Sequence, residues 1–199
     1  MVPSMIDGRL FRRMLVAALA LTACGCIPWR FSGYEPSGSG QREPGFCVAG
    51  IHTRLKQEAL HGVGVHWQAD RDDGADTVLL HVYLTVPAGV VVRLQSADLV
   101  FRGESWPEPR HLTVQAITAP GPDSLPVGAE LIGPADPAWG QFDLWFFPER
   151  AGSFMWTGIP AAPEFSIALP LLTIDGEAWQ APPVTFKAFS RWGIYTCVQ

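Results

Sequence analysis

The sequence predicts an all-β fold, a sandwich of two antiparallel sheets, and three observations predict it. Apolar residues recur with a period of two in short runs, 18 prolines and 20 glycines punctuate those runs, and Asp175-Gly176 joins two of them as a two-residue hairpin signal. Prolines and glycines at that density exclude long helices over most of the 199 residues. The clearest run is Thr77 to Val86, where Val78, Leu80, Val82, Leu84 and Val86 form one aliphatic face while His81, Tyr83 and Thr85 point the other way.

In chain order, the first element is a leader. Arg9, Arg12 and Arg13 stand ahead of the apolar stretch from Met14 to Ala23, the layout of an export signal covering residues 1–23. A run of roughly 10 apolar residues is half of the roughly 20 that a helix needs to cross a bilayer, so removal is expected rather than retention as a span. The stretch closes on Leu21-Thr22-Ala23-Cys24, which resembles the lipobox of bacterial lipoproteins. The resemblance is confined to the N-terminus. It implies cleavage between Ala23 and Cys24, a diacylglycerol on the Cys24 thiol, and acylation of the new Cys24 amine. Two or three acyl chains hold a protein stably at a membrane where one holds it marginally. Cys26 is the second candidate anchor, but Ala23-Cys24-Gly25 before it lacks the aliphatic residue. By resemblance to enterobacterial sorting, Gly25 in place of Asp favours the outer membrane over the inner.

Residues 24–45 follow as a lipidated, flexible tether, because Pro28, Gly33, Pro36, Pro44 and the run Ser37-Gly-Ser-Gly40 leave little apolar periodicity. Its aromatics, Trp29, Phe31 and Tyr34, either sit at the membrane interface or pack back onto the domain. The sandwich domain is expected over 46–199, a length that suits one core and hardly two. Three Arg and one Asp lie in the leader, so of 14 basic and 19 acidic residues 11 and 18 remain, and the formal net charge moves from −5 to −7. An acidic surface argues against nucleic acid as a partner and against electrostatic docking on anionic lipid. Membrane association is therefore expected to rest on the Cys24 lipid.

Within the domain, alternation recurs in Val90-Val92-Leu94, in Leu112-Val114-Ala116, in Phe142-Leu144-Phe146 and in Phe165-Ile167-Leu169-Leu171. After Leu94 the apolar phase flips to Ala97-Leu99-Phe101, which predicts a bulge or a bend where a strand changes sheet. His52 to His61 fits either a short helix or an irregular strand. Three cysteines follow the anchor, Cys26, Cys47 and Cys197, so one pair is expected with one thiol left over. Cys47 with Cys197 is preferred because it ties the two ends of the domain together, for which chain entropy assigns roughly 4–5 kcal/mol. Cys26 with Cys47 is the alternative. The order Cys47, Trp67, Cys197 resembles that of immunoglobulin domains, but Cys197 stands at the chain end where the pattern wants the penultimate strand. The sandwich is thus immunoglobulin-like in architecture, without family membership.

Candidate chemistry is sparse. Asp70-Arg71-Asp72-Asp73-Gly74-Ala75-Asp76 gathers four carboxylates, yet Ala75 stands where an EF-hand needs its glycine, and a solvated turn between strands is expected. His61 and His66 are an odd number apart, the wrong spacing for sharing an ion from one strand, so no metal is expected. Ser153 misses the nucleophile-elbow pattern and Gly62-Val-Gly64 lacks the rest of a phosphate loop, so neither an enzyme nor a cofactor is indicated. The most suggestive stretch is Trp139 to Trp156, with Phe142, Leu144 and Phe146 in the core phase, Trp145 and Phe147 on the outer face, and Trp139 and Phe154-Met155-Trp156 in flanking loops. Trp139, Trp145, Phe147, Phe154 and Trp156 either seal an open end of the sandwich or form an interaction surface. The function expected is a membrane-anchored envelope lipoprotein, facing the periplasm or the outside and contacting an unidentified envelope protein. The alternatives are a glycan or cell-wall ligand-binding protein or enzyme, and a secretion-system accessory lipoprotein.

Overall fold

The computed structural model describes residues 28–44, 52–72, 74–118, 124–136, 140–145, 150–151 and 154–194. Ala23, Cys24, Cys26 and both cysteines of the candidate disulfide, Cys47 and Cys197, lie outside them, as do Trp139 and Phe147 of the aromatic stretch.

The described chain is all-β. In chain order its strands are β1 (Pro28–Ser37), β2 (Gln41–Glu43), β3 (Arg54–Glu58), β4 (Gly64–Asp72), β5 (Thr77–Thr85), β6 (Val91–Leu94), β7 (Asp98–Arg102), β8 (Arg110–Thr113) and β9 (Ala116–Thr118). They continue as β10 (Ser124–Leu125), β11 (Leu131–Ile132), β12 (Gln141–Trp145), β13 (Arg150–Ala151), β14 (Phe154–Pro160), β15 (Glu164–Ala168), β16 (Leu172–Ile174), β17 (Glu177–Trp179) and β18 (Val184–Ile194). Among the described residues these make three antiparallel sheets. The first runs β1-β18-β15-β7-β8, the second β10-β9-β12-β5-β4-β3-β2 with β14 also on β5 and β13 on β14, and the third β11-β6-β16-β17. A single buried cluster takes side chains from all three.

Changes of sheet explain where the prolines and glycines fall. The chain leaves the first sheet for the second at Gly38-Ser39-Gly40, the second for the third around Pro87, the second for the first at Pro163, and the third for the first at Pro182-Pro183. Gly40 has a φ of 140°, and a Cβ there would meet the Lys56 carbonyl at 2.5 Å, so this turn needs glycine. Asp175 and Gly176, with φ of 47° and 87°, make the two-residue turn between β16 and β17 that their sequence announces, and Asp175 Oδ1 also accepts the Val91 amide.

The phase flip after Leu94 marks a real crossing. β6 pairs with β16 and β7 with β15, so the same two stretches of chain run antiparallel on both sides of an interruption at Gln95–Ala97 and Leu169–Leu171. The Gln95 amide donating to the Leu171 carbonyl spans that gap. The second stretch flips there too: Phe165, Ile167 and Leu169 are buried, Leu171 is 39% exposed, and Leu172 and Ile174 are buried, which corrects the assignment of Leu171 to the face of Leu169. A similar correction applies to Ala116. The chain passes from the first to the second sheet at Val114-Gln115, whose amides donate to Ala97 and Trp145, and Ile117 rather than Ala116 enters the core.

At the N-terminal end one expectation changes and one alternative is settled. Residues 28–44, expected as flexible tether, are β1 paired along β18 and β2 paired with β3. Alternating neighbours on β18 supply what the stretch lacks alone, and Tyr34 packs back into the core at 1% exposure, its ring edge-on to Phe165. Between His52 and His61 the irregular strand prevails, as β3 followed by the single 3-10 turn Leu60–Gly62.

Candidate functional site

The β4–β5 hairpin forms the centre of the second sheet, with Gly64 opposite Thr85, His66 opposite Tyr83, Gln68 opposite His81 and Asp72 opposite Thr77. The acidic segment from Asp70 forms its tip and turn. Asp72 Oδ1 accepts the Gly74 amide at 2.9 Å and Arg71 pairs with Asp76 at 2.6 Å, the turn reading of these carboxylates. Among the described residues no group of three or more metal-ligating side chains forms. His61 and His66 share no strand, since His61 lies in the 3-10 turn and reaches Glu177 at 3.6 Å.

Alternation puts Val65, Trp67 and Ala69 inward, and His66 and Gln68 outward beside His81 and Tyr83. The outward side chains interlock. His66 stacks on Tyr83 with ring centroids 4.3 Å apart and 6° between planes, and its Nε2 lies 3.1 Å from Thr85 Oγ1. His81 Nε2 lies 2.8 Å from Asp143 Oδ1. A carboxylate only accepts, so that nitrogen carries the proton. Gln141 Nε2 donates to the same oxygen at 3.0 Å. Burial and the cations Lys56 and Arg54 lower the His66 pKa from 6.5 to about 4, with His81 adding to the effect. The Glu43 carboxylate, 3.8 Å from Nδ1, is too far to reverse this, so His66 is neutral at pH 7 and its Nδ1 has no hydrogen bond among the described residues. Burial raises the Tyr83 pKa, which keeps the phenol protonated.

Where β5 changes partners, this face meets the aromatic stretch. β12 pairs with Tyr83 to Thr85 and then turns away to β9, while β14 takes over at Leu79-Leu80, so the two strands fork beside His81. Trp145 ends β12 at the fork, half-buried against the core cluster, with its Nε1 donating to Thr118 Oγ1 at 2.5 Å. Phe154, Met155 and Trp156 are not loop residues: they open β14, with Met155 opposite Leu80 and Trp156 opposite Leu79. Of the five aromatic residues proposed from sequence, the fold thus brings Trp145, Phe154 and Trp156 to strands flanking β5.

Sequence reasoning missed the His66-Tyr83-His81-Asp143 network. Its signal is present only as polar residues at odd positions of β5 and even positions of β4, which period-two reading assigns to solvent. Searches for relatives returned no matching family model, no matching curated protein and no matching solved structure.

Proposed function

We propose that this chain is a non-enzymatic lipoprotein of the bacterial cell envelope, anchored through Cys24, whose domain contacts another envelope protein through the outer face of the second sheet. In this reading the first and third sheets, which share one interrupted ladder, form one layer of an immunoglobulin-like sandwich, and the second sheet forms the other. The candidate disulfide Cys47 to Cys197 would close it.

The observation that carries the reading is the fork beside His81. It places Trp145 and the opening of β14, Phe154 to Trp156, on strands that flank one edge of β5. Trp145 is half-buried, its indole N–H is already satisfied by Thr118, and His81, nearest to it in the polar network, is bonded to Asp143. Such a placement lets Trp145 offer a partner apolar area without stranding its own indole N–H on docking.

The test is cross-linking in intact cells followed by capture through a C-terminal tag. Replacing Trp145 and Trp156 by Ser, with the fold verified by circular dichroism, is expected to lower capture of one specific envelope protein by more than about tenfold, the cost of losing an aromatic hot spot. Undiminished capture overturns the surface, and glycan fragments in place of a protein transfer it to the cell-wall ligand-binding reading.

A further inference from the structure

The pair β1–β18 outruns its sheet. β15 pairs with β18 only from Val184 to Lys187, whereas β1 follows it from Thr185, opposite Ser37, to Ile194, opposite Pro28. The Ala188 amide still reaches the Pro163 carbonyl. Beyond it the two strands form a ribbon.

Alternation carries the core face of β18 out along that ribbon. Val184 and Phe186 are buried, and Ala188, Ser190 and Trp192 continue the same face beyond the core. Trp192 is 73% exposed, more than any other large apolar side chain among the described residues. Its cross-strand neighbour is Arg30, also exposed, whose Nε donates to Ser190 Oγ at 2.8 Å. Trp192 and Arg30 are thus cross-strand partners on one face at the ribbon's end, both exposed among the described residues.

That end is also the one covalently closest to Cys24. Three residues separate Cys24 from Pro28, and the four steps from one to the other reach at most about 14 Å by any path. Acyl chains on Cys24 would therefore hold the ribbon end within that distance of the headgroups. Indoles prefer this zone, and guanidinium groups bind phosphate there while their stems lie along apolar surface.

We infer that Arg30 and Trp192 form the seat by which the domain rests on the phospholipid surface, with the indole at headgroup level and the guanidinium on lipid phosphate. The inference rests on the lipoprotein reading and deepens it: the lipid anchors the protein, and the ribbon end orients the domain. The contact is local, because an acidic chain gains nothing from wider docking on anionic lipid.

The full-length protein, processed in cells, labelled with 5-fluorotryptophan and reconstituted into phosphatidylethanolamine–phosphatidylglycerol vesicles, tests this. The Trp192 fluorine line is assigned by its disappearance in Trp192→Phe, and gadolinium-bearing headgroup lipid is then added. The expected result is loss of the Trp192 line with no broadening of the line from buried Trp67. Intact mass reports on the anchor independently. Cys24 carrying acyl groups while the Trp192 line stays sharp overturns the seat and leaves the lipoprotein reading standing, whereas Cys24 without acyl groups overturns both.

Discussion

The apolar inner face of the β4–β5 hairpin is buried throughout, the outer face has buried side chains only at its histidines, and the two are held by different physics. On the inner face Trp67, Val78, Leu80, Val82 and Leu84 are fully buried, and on the outer face His66 and His81 are 7% and 8% exposed. The inner face is held by apolar area, which has no direction and tolerates any partner of the right volume. The outer face is held by a ring stack and by hydrogen bonds from His81 and Gln141 to one carboxylate, which fix particular atoms at particular distances. Even the inner face needs this device once: Trp67 Nε1 donates to Gln57 Oε1, and Gln57 Nε2 donates to the Pro182 carbonyl, both at 2.9 Å. Neighbouring residues of one strand can therefore depend on unrelated forces.

The contrast can be broken most sharply at Leu79 and Leu80, adjacent and chemically identical. Leu80→Ala should cost about 3 kcal/mol in urea unfolding, whereas half-buried Leu79→Ala should cost about 1 kcal/mol or less. Equal losses would mean that the outer face is a second apolar core. Next is pH. His66 is neutral when folded, with a pKa of about 4 against 6.5 when unfolded, so between those values the unfolded chain binds the extra proton. Stability is full above pH 6.5 and should fall by on the order of 3 kcal/mol as the pH drops to 4. His66→Gln should flatten that slope in urea titrations at successive pH values. The smallest effect concerns Asp143→Ala, which removes the acceptor shared by His81 and Gln141 and should cost about 1–2 kcal/mol. A slope near zero in the unsubstituted protein, or a cost near zero in Asp143→Ala, would reduce the outer network to a solvated surface.

Strands were legible wherever one face alone is apolar. Thr77 to Val86 reads as β5 from its alternation, Asp175-Gly176 reads as a hairpin turn because its backbone needs positive φ, and the flip after Leu94 reads as a crossing because one strand cannot point both residue sets inward. Residues 28–44 were illegible because β1 borrows its order from β18, some 150 residues away in sequence. Leu171 and Ala116 were misplaced for a related reason: an alternating run carries no mark of where the chain leaves one sheet for another. At the candidate site Trp145 was legible as an outward aromatic, while its meeting with β14 at the fork, and the network beside it, depend on pairing across 62 residues between His81 and Asp143.

The sequence by itself determined that the chain is all-β, which face of its best strands points inward, and where its tightest turn lies. These are local properties, since period and turn dihedrals act within a few bonds of themselves. Only the tertiary structure decided that Pro28 to Ser37 is a strand, that β5 changes partners at His81, that polar His66 and His81 are buried, and that Arg30 and Trp192 stand together. Each of these depends on which distant segment supplies the neighbour, and that choice is made by the packing of the whole chain.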